Sequence, residues 1–154
     1  MVRYKARYLL FNILYPPNTM SPSTSTHIDF LAPTPSVSPS ELAALIRDSL
    51  LREFGDHGAG IAGNLSVKYF SPVTSTGIVR VSREHVRLVW AALTYLPEVR
   101  GKRVVVRVVH CAGTIKKAER RAVGRAGKEV GVVLEEMEEM EGLEDGWDQD
   151  IEEE

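Results

Sequence analysis

The sequence predicts an α+β sandwich, in which one four-stranded antiparallel sheet packs helices on one face and leaves the other face open. Three observations support this prediction. The predicted elements follow the order β-α-β-β-α-β-α, which is the ferredoxin-like βαββαβ order with an added C-terminal helix. The chain has 154 residues, of which 44% are hydrophobic, so it can bury one modest core. Its single cysteine, Cys111, excludes an internal disulfide framework.

The first predicted strand and the segment after it differ in composition. Residues 3–14 are dense in Tyr, Leu, Phe and Ile, which favours a strand, and the prolines at 16 and 17 end it. Residues 16–38 are rich in Pro, Ser and Thr. Such a segment buries too little apolar surface to offset the entropy of ordering. We therefore expect a disordered insertion over 16–38.

The first predicted helix begins at a recognisable cap. Ser38 is suited to the N-cap position, Pro39 to the first helical position, and Glu41 completes a capping box. Apolar residues follow at helical spacing, and Gly55 is expected to end the helix. The Gly-rich residues 56–64 are then predicted to form a loop.

Two short strands follow the loop. Residues 65–70 and 76–82 are predicted to pair as a hairpin across a turn that starts at Ser71. The alternation in the second strand places Ile78 and Arg80 on one face and the valines between them on the other.

The remaining elements complete the predicted order. Residues 83–95 predict a helix, residues 102–110 a β-branched strand, and Thr114 is suited to cap a third helix that extends to about residue 135. The last residues, 135–154, form an acidic tail that we expect to be disordered. The predicted sandwich domain therefore spans 1–134.

The net charge of −2 conceals a strong asymmetry. Residues 1–134 hold all 19 Lys and Arg against nine Asp and Glu, a net charge of +10. Residues 135–154 hold the other 12 acids and no base. A basic body of this kind points to a polyanionic partner.

The sequence offers no enzyme site. The four histidines share no metal-ligand spacing, and the Gly-rich segment lacks the spacing of a phosphate-binding loop. His110 and Cys111 are adjacent, so a strand would place them on opposite faces, which excludes a nucleophile–base pair. No apolar run approaches the roughly 18 residues of a membrane span. The basic and apolar start lacks a signal-peptide cleavage site, so we expect an intracellular protein without a membrane partner.

Three sets of basic residues are candidates for RNA contacts, chiefly to phosphates. They alternate at the N-terminus, surround the hairpin, and line the third helix. The predicted RNA-binding residues are Arg3, Lys5, Arg7, Lys68, Arg80, Arg83, Lys116, Lys117, Arg120 and Arg121. A second surface is predicted to bind a protein partner, because its apolar residues cannot all face one small core: Leu88, Val89, Trp90 and Leu96.

Three alternatives to an RNA-bracing role remain open at this point. The element order also fits a free-standing RRM-like module that binds single-stranded RNA. Its first strand would offer Tyr4, Tyr8 and Phe11, but its third strand, residues 76–82, has no aromatic residue for base stacking. A small hydrolase similar to acylphosphatase would need an Arg in the loop before Asn64, which is missing. A protein adaptor without RNA contact does not account for the basic body.

Four segments carry a resemblance to a known family: MVRYKARYLL (1–10), VKYFSPVTSTGIVRVSRE (67–84), LVWAALTYL (88–96) and HCAGTIKKAER (110–120). Together they resemble the Pop-five family of protein subunits of ribonuclease P and ribonuclease MRP. The opening and the TGIV-R strand are the more specific parts. The family's H-x-G-G-T-I pattern appears with Ala112 where a Gly is usual. The insertion and the acidic tail resemble fungal elaborations.

The resemblance implies a non-catalytic subunit that braces the catalytic RNA core of both particles. In ribonuclease P the RNA and its Mg²⁺ ions would cleave the 5′ leader from precursor tRNA, and the related particle would process ribosomal RNA. The chain itself would bind no cofactor. Its expected partners are the ribonuclease P/MRP RNA, a TIM-barrel-like protein subunit, other subunits of the particle and precursor tRNA. The expected location is the nucleus and nucleolus.

Overall fold

A computed structural model of the chain describes residues 4–16 and 36–128, together with Gly131. Several predictions lie outside the described residues: those for Arg3, for most of the insertion at 16–38 and for the acidic tail at 135–154. The chain forms two compact units, Met1–Ala118 and Glu119–Glu154. The predicted domain boundary at residue 134 stays a prediction, since that residue is also outside the described part.

The elements follow the predicted order, with one small hairpin added. They are β1 (Ala6–Leu14), α1 (Pro39–Ala62), β2 (Ser66–Ser71), β3 (Thr76–Ser82), a 3₁₀ turn (Arg83–His85), α2 (Val86–Thr94), β4 (Glu98–Val99), β5 (Lys102–Arg103), β6 (Val105–Ala112) and α3, which is helical over 115–128.

The four long strands form one antiparallel sheet in the order β2-β3-β1-β6. This is the strand order of a ferredoxin-like fold, so the predicted fold class is confirmed. The predicted strand over 102–110 is interrupted at Val104, because residues 98–103 form a tight hairpin of their own. Its turn residues Arg100 and Gly101 both have positive φ, at 48° and 74°, as a two-residue hairpin turn requires.

One face of the sheet packs against α1 and α2. On β1 this face consists of Leu9, Phe11 and Ile13, which lie in the main core cluster with Val79 and Val81 of β3. The alternation predicted for β3 is therefore confirmed. Phe11 is paired with Gly77, and a Cβ atom at that glycine would lie 2.5 Å from Cζ of the Phe11 ring. The glycine is required because the aromatic ring occupies the space above it.

The opposite face of the sheet, called here the second face, is not open as predicted. At its centre Leu10 and Ile78 are paired and only 1% exposed, and Asn12 is 3% exposed. Thr76 donates a hydrogen bond from Oγ1 to Oδ1 of Asn12 at 3.3 Å. None of these belongs to the cluster under α1 and α2. The prediction of an open face is wrong for the centre of the sheet, and it holds towards both edges, where Tyr69 on β2 and Val105 and Arg107 on β6 are exposed.

The first helix starts as predicted and ends later than predicted. Ser38 accepts from the Glu41 N–H at 3.2 Å, and the Glu41 carboxylate accepts from the Ser38 N–H at 2.8 Å, so the capping box is confirmed. At Gly55 the backbone (φ 60°, ψ −146°) kinks in a region open essentially to glycine alone. The helix then resumes to Ala62. Arg47 fastens this second part by donating hydrogen bonds to the carbonyls of Ala62 and Leu65.

The start of the third helix is also confirmed. Thr114 accepts from the Lys117 N–H through its side chain at 3.4 Å and from the Ala118 N–H through its carbonyl at 3.3 Å. Ala118 is fully buried. The cap therefore fixes where α3 begins, directly after the end of β6.

Candidate nucleic-acid interface

The predicted RNA-binding residues fall into three positions. The first position is the β2 side of the sheet, with the exposed Lys5, Lys68 and Arg83 and the partly buried Arg80. The second is the first turn of α3, where Lys116 and Lys117 are exposed and Arg7 lies nearby. In the second compact unit, Arg120 and Arg121 are exposed on the helical residues. Arg3 lies outside the described residues.

The structure brings the N-terminal and hairpin sets together. The Arg83 N–H donates to the Lys5 carbonyl at 2.9 Å, which holds these two side chains at the same end of β1 and β3. Arg80 lies opposite Tyr8 in the strand register, and its guanidinium lies over the Tyr4 ring, 5.0 Å from the ring centre. Sequence spacing alone could not have joined residues almost 80 positions apart.

A second concentration of positive charge lies at the N-terminus of α3. Lys116 and Lys117 occupy its first turn, where the helix dipole disfavours cations. Arg7 is close to the preceding turn: its Nη1 lies 3.9 Å from where a Cβ atom of Gly113 would be. Two lysines and a helix N-terminus together attract an anion such as a phosphate. Binding of phosphate would thus offset the repulsion that this arrangement creates.

Within the described residues, these basic side chains form no ion pair. Within residues 4–16 and 36–128, the ion pairs are Arg52–Glu53 and Arg100–Glu41, and neither includes a predicted RNA-binding residue. The strands of the four-stranded sheet contain four basic residues and no Asp or Glu: Arg7, Lys68, Arg80 and Arg107. A surface of this kind favours phosphate over an acidic or mixed-charge protein face.

Two of the four residues predicted to bind a protein partner are buried in the structure. Val89 is fully buried and Leu96 is 4% exposed, so both belong to the core and cannot reach a partner while the fold is intact. Leu88 packs against the core at its margin. Trp90 is 41% exposed, and Tyr95, which the sequence analysis missed, is 59% exposed just beyond α2. The prediction is wrong for the two buried residues and stays a prediction for Leu88 and Trp90.

Sequence reasoning also missed Tyr69, whose side chain is half-exposed on β2, and the basic residues Arg103 and Arg107 on β5 and β6. The register of β2 shifts between Val67 and Tyr69, which is a β-bulge. The alternation of residues 65–70 does not indicate such a bulge, so the sequence pattern could not predict it.

The described part of the chain contains no group of three His, Cys, Asp or Glu side chains placed to hold a metal ion. The rings of His57 and His85 meet edge to face, with their centres 6.5 Å apart. In the same residues, no helix has the length and apolar character needed to cross a membrane.

Comparison with known proteins gives consistent results. The model of the Rpp14/Pop5 family matches residues 7–123. The chain is 48% identical over 133 residues to the ribonuclease P/MRP protein subunit POP5 of Schizosaccharomyces pombe, covering 84% of this chain and 91% of that protein. It is 36% identical over 141 residues to the subunit of the same name from Saccharomyces cerevisiae, and the match covers 86% of this chain and 82% of that protein.

Among solved structures, a chain in the cryo-EM structure of yeast ribonuclease MRP aligns with a TM-score of 0.49 and 11% identity, covering 88% of this chain and 98% of that chain. The fold itself is established by the strand order and register described above.

Proposed function

This chain belongs to the Rpp14/Pop5 family, and from that membership we propose that it is a protein subunit of ribonuclease P and ribonuclease MRP. It is a structural component of these ribonucleoproteins and not their catalyst. Its role is to brace the folded RNA that cleaves the 5′ leader from precursor tRNA and, in the related particle, processes ribosomal RNA.

The observation that carries this proposal is the extent of the family match. Residues 7–123 include the four strands of the sheet except for Ala6 at the start of β1, both helices packed on it and the start of α3. Every described residue of the predicted RNA-binding set except Lys5 lies within this range. The family relationship therefore covers the same part of the chain that bears these basic side chains.

The physical role of this charge is to neutralise phosphates where the RNA backbone folds closely on itself. Lys and Arg that contact phosphates release condensed counterions, so the affinity arises without sequence reading and falls steeply with salt. Arg7, Arg80 and Arg83 can in addition form bidentate hydrogen bonds to phosphate oxygens. Two positions of contact, on the sheet and at the start of α3, would fix an orientation as well as an affinity.

The partner and metal assignments extend this proposal. We propose that a TIM-barrel-like subunit of the particle docks on the exposed rings of Trp90 on α2 and Tyr95 just beyond it, together with the partly buried Leu88. The Mg²⁺ ions of the reaction are proposed to lie on the RNA, as the family resemblance implies. Precursor tRNA is a further proposed contact, and the nucleus, including the nucleolus, is the proposed location.

The free-standing RRM-like alternative gains no support. The relatives with the higher identities are named as subunits of a particle, and no observation favours a chain that acts alone.

The decisive experiment is purification of the tagged full chain from its native cells, followed by sequencing of the bound RNA and an assay of precursor-tRNA cleavage. We expect one or two abundant structured RNAs and a cleavage activity that is lost when the RNA is digested with nuclease. A complex that remains active after complete removal of RNA, or a purified chain that cleaves precursor tRNA alone, would contradict the proposal.

A further inference from the structure

The β-bulge at Lys68 changes which face of the sheet Tyr69 occupies. Val67 pairs with Val79 and faces the main core, and in a regular strand Tyr69, two residues later, would face the core as well. The bulge inserts one residue, so that Tyr69 pairs with Ile78 on the second face and Phe70 takes its place in the core. The fold thereby exposes half of a tyrosine ring that regular pairing would bury.

The register places Tyr69 beside an arginine. Tyr8, Arg80 and Ser66 form one row of paired residues across β1, β3 and β2, and Leu10, Ile78 and Tyr69 form the next row on the same face. Diagonal neighbours of this kind lie within reach of aromatic and long side chains. The other side of this group is formed by Tyr4, whose ring lies under the Arg80 guanidinium.

The Arg80 guanidinium lies over the Tyr4 ring and has a buried donor, Nε–H, that finds no acceptor in the described part of the chain. Among the described residues it forms no ion pair. A guanidinium donor without an acceptor is costly to bury, and structures supply an acceptor in most such cases. Nε itself is out of reach of a ligand, but the side chain as a whole is only partly buried, so the outer part of the guanidinium can donate to an oxygen that a ligand brings.

The side chains around this group specify the chemistry of that ligand. Tyr4 and Tyr69 are 48% and 51% exposed, Lys5, Lys68 and Arg83 are exposed at the margin, and the four strands contain no acidic residue. Half-exposed aromatic rings beside an arginine and flanking lysines fit a nucleobase that stacks and a phosphate that pairs with the cations. A protein surface could pack against the two tyrosine rings, but it would not neutralise this density of positive charge.

We infer that Tyr69, Arg80 and Tyr4 form a site for one unpaired nucleotide of RNA. The base stacks on Tyr69, and a phosphate or base oxygen accepts hydrogen bonds from Arg80, while Lys68 neutralises the adjoining phosphate. This inference deepens the proposed function, because it assigns a base-stacking contact in addition to phosphate bracing. The nucleotide belongs either to the RNA subunit or to the substrate RNA, and the experiment below separates these sources.

The test uses the assembled particle and ultraviolet crosslinking at zero distance. Trypsin cleaves after Lys68 and Arg80, so a nucleotide crosslinked to Tyr69 is recovered on the single peptide 69–80. We expect this crosslink in the wild-type particle and its loss in Tyr69→Leu. The conservative variant Tyr69→Phe retains the stacking ring and should restore it. Leu51→Ala, which shortens a comparably exposed apolar side chain on α1 outside every proposed binding surface, is the control and should leave the crosslink unchanged.

Affinity gives a second readout. For the full chain titrated onto the isolated particle RNA, Tyr69→Leu should weaken binding by about 5- to 150-fold, the range expected for one stacked base. Tyr69→Phe should stay within about twofold of wild type. If the crosslink and the affinity defect need added precursor RNA, the nucleotide comes from the substrate; if they occur without it, the nucleotide belongs to the RNA subunit.

The possible outcomes distinguish a failure of the nucleotide site from a failure of the proposed function on which it rests. Should Tyr69→Leu fold, join the particle and bind RNA as wild type does, with no crosslink on peptide 69–80 in any sample, the nucleotide site is wrong and the proposed function stands. Loss of a protein subunit from the Tyr69→Leu particle, with RNA binding unchanged, would also overturn the site. If the wild-type chain brings down no RNA at all, the proposed function itself fails.

Discussion

The two faces of the central sheet are buried equally well at their centres but differ at their margins. Leu9 and Leu10 are neighbours on β1, point to opposite faces, and are 0% and 1% exposed. Beyond them, the face under α1 and α2 continues with apolar residues and ends on β1 at Arg7, opposite Val81, whereas the second face gives way to Tyr4, Tyr69 and Arg80. The comparison shows that a strand can be buried on both sides at its centre and still leave aromatic and basic side chains exposed at the rim of one face.

The largest expected effects on stability concern the centre of the sheet, where both faces are buried. Leu9→Ala and Leu10→Ala should each lower the free energy of unfolding by about 2–5 kcal/mol, because both remove fully buried methyl groups and leave a cavity. Urea denaturation of the two variants measures this directly. If Leu10→Ala costs less than about 1 kcal/mol while Leu9→Ala reaches the expected range, the second face contributes little to stability and the two faces are unequal.

The next largest effect concerns the core face alone. Gly77→Ala should destabilise by about 1–3 kcal/mol, since its methyl group would meet the Phe11 ring. In the double variant with Phe11→Leu the ring is gone, so the combined loss should be smaller than the sum of the single losses. Strict additivity in this double-mutant cycle would show that the ring is not what requires glycine at this position.

A smaller effect is expected on RNA binding, and it tests whether the positive charge on the β2 side of the sheet contacts phosphates. Lys68→Gln should reduce the slope of log K against log salt for RNA binding by about 1, because one phosphate contact is lost. Arg52→Gln is the matched control, since Arg52 lies on α1 and is already paired with Glu53 at 2.9 Å. Equal slopes for Lys68→Gln and wild type would place the RNA away from the β2 side of the sheet.

The smallest effect lies in the helical layer, at the exposed start of α1. The hydrogen bond from the Ser38 N–H, followed by the Arg100 guanidinium, lowers the pKa of Glu41 from 4.5 to about 2. Because the folded pKa is the lower one, this contact stabilises the protein above about pH 4.5, and the contribution is lost as the pH falls towards 2.

Thermal unfolding from pH 7 to pH 2 tests this sign. Glu41→Gln should be less stable than wild type at pH 7, and most of the difference should be lost by pH 2, where the carboxyl is about half protonated. Arg100→Gln should give a partial effect, since the Ser38 N–H still favours the charged carboxylate. A difference between wild type and Glu41→Gln that stays constant over this range would exclude a role for the carboxylate charge.

The elements that local chemistry specifies were predictable. Side-chain caps at Ser38 and Thr114 were visible because capping depends on residues three positions apart. The two faces of β3 followed from alternation. The helix boundary at Gly55 was wrong, because a kink lets the helix resume, and packing of the second part, with the bonds from Arg47, decides this.

The sequence alone determined the order of elements, the basic body and the family resemblance, because each depends on neighbouring residues or on composition. Only the tertiary structure decided that Tyr69 leaves the core and joins Tyr4 and Arg80, and that Val89 and Leu96 are buried. A one-residue bulge reverses the facing of every side chain that follows it in the strand, and its position depends on the partner strand. Pairing between distant segments therefore holds information that no local pattern contains.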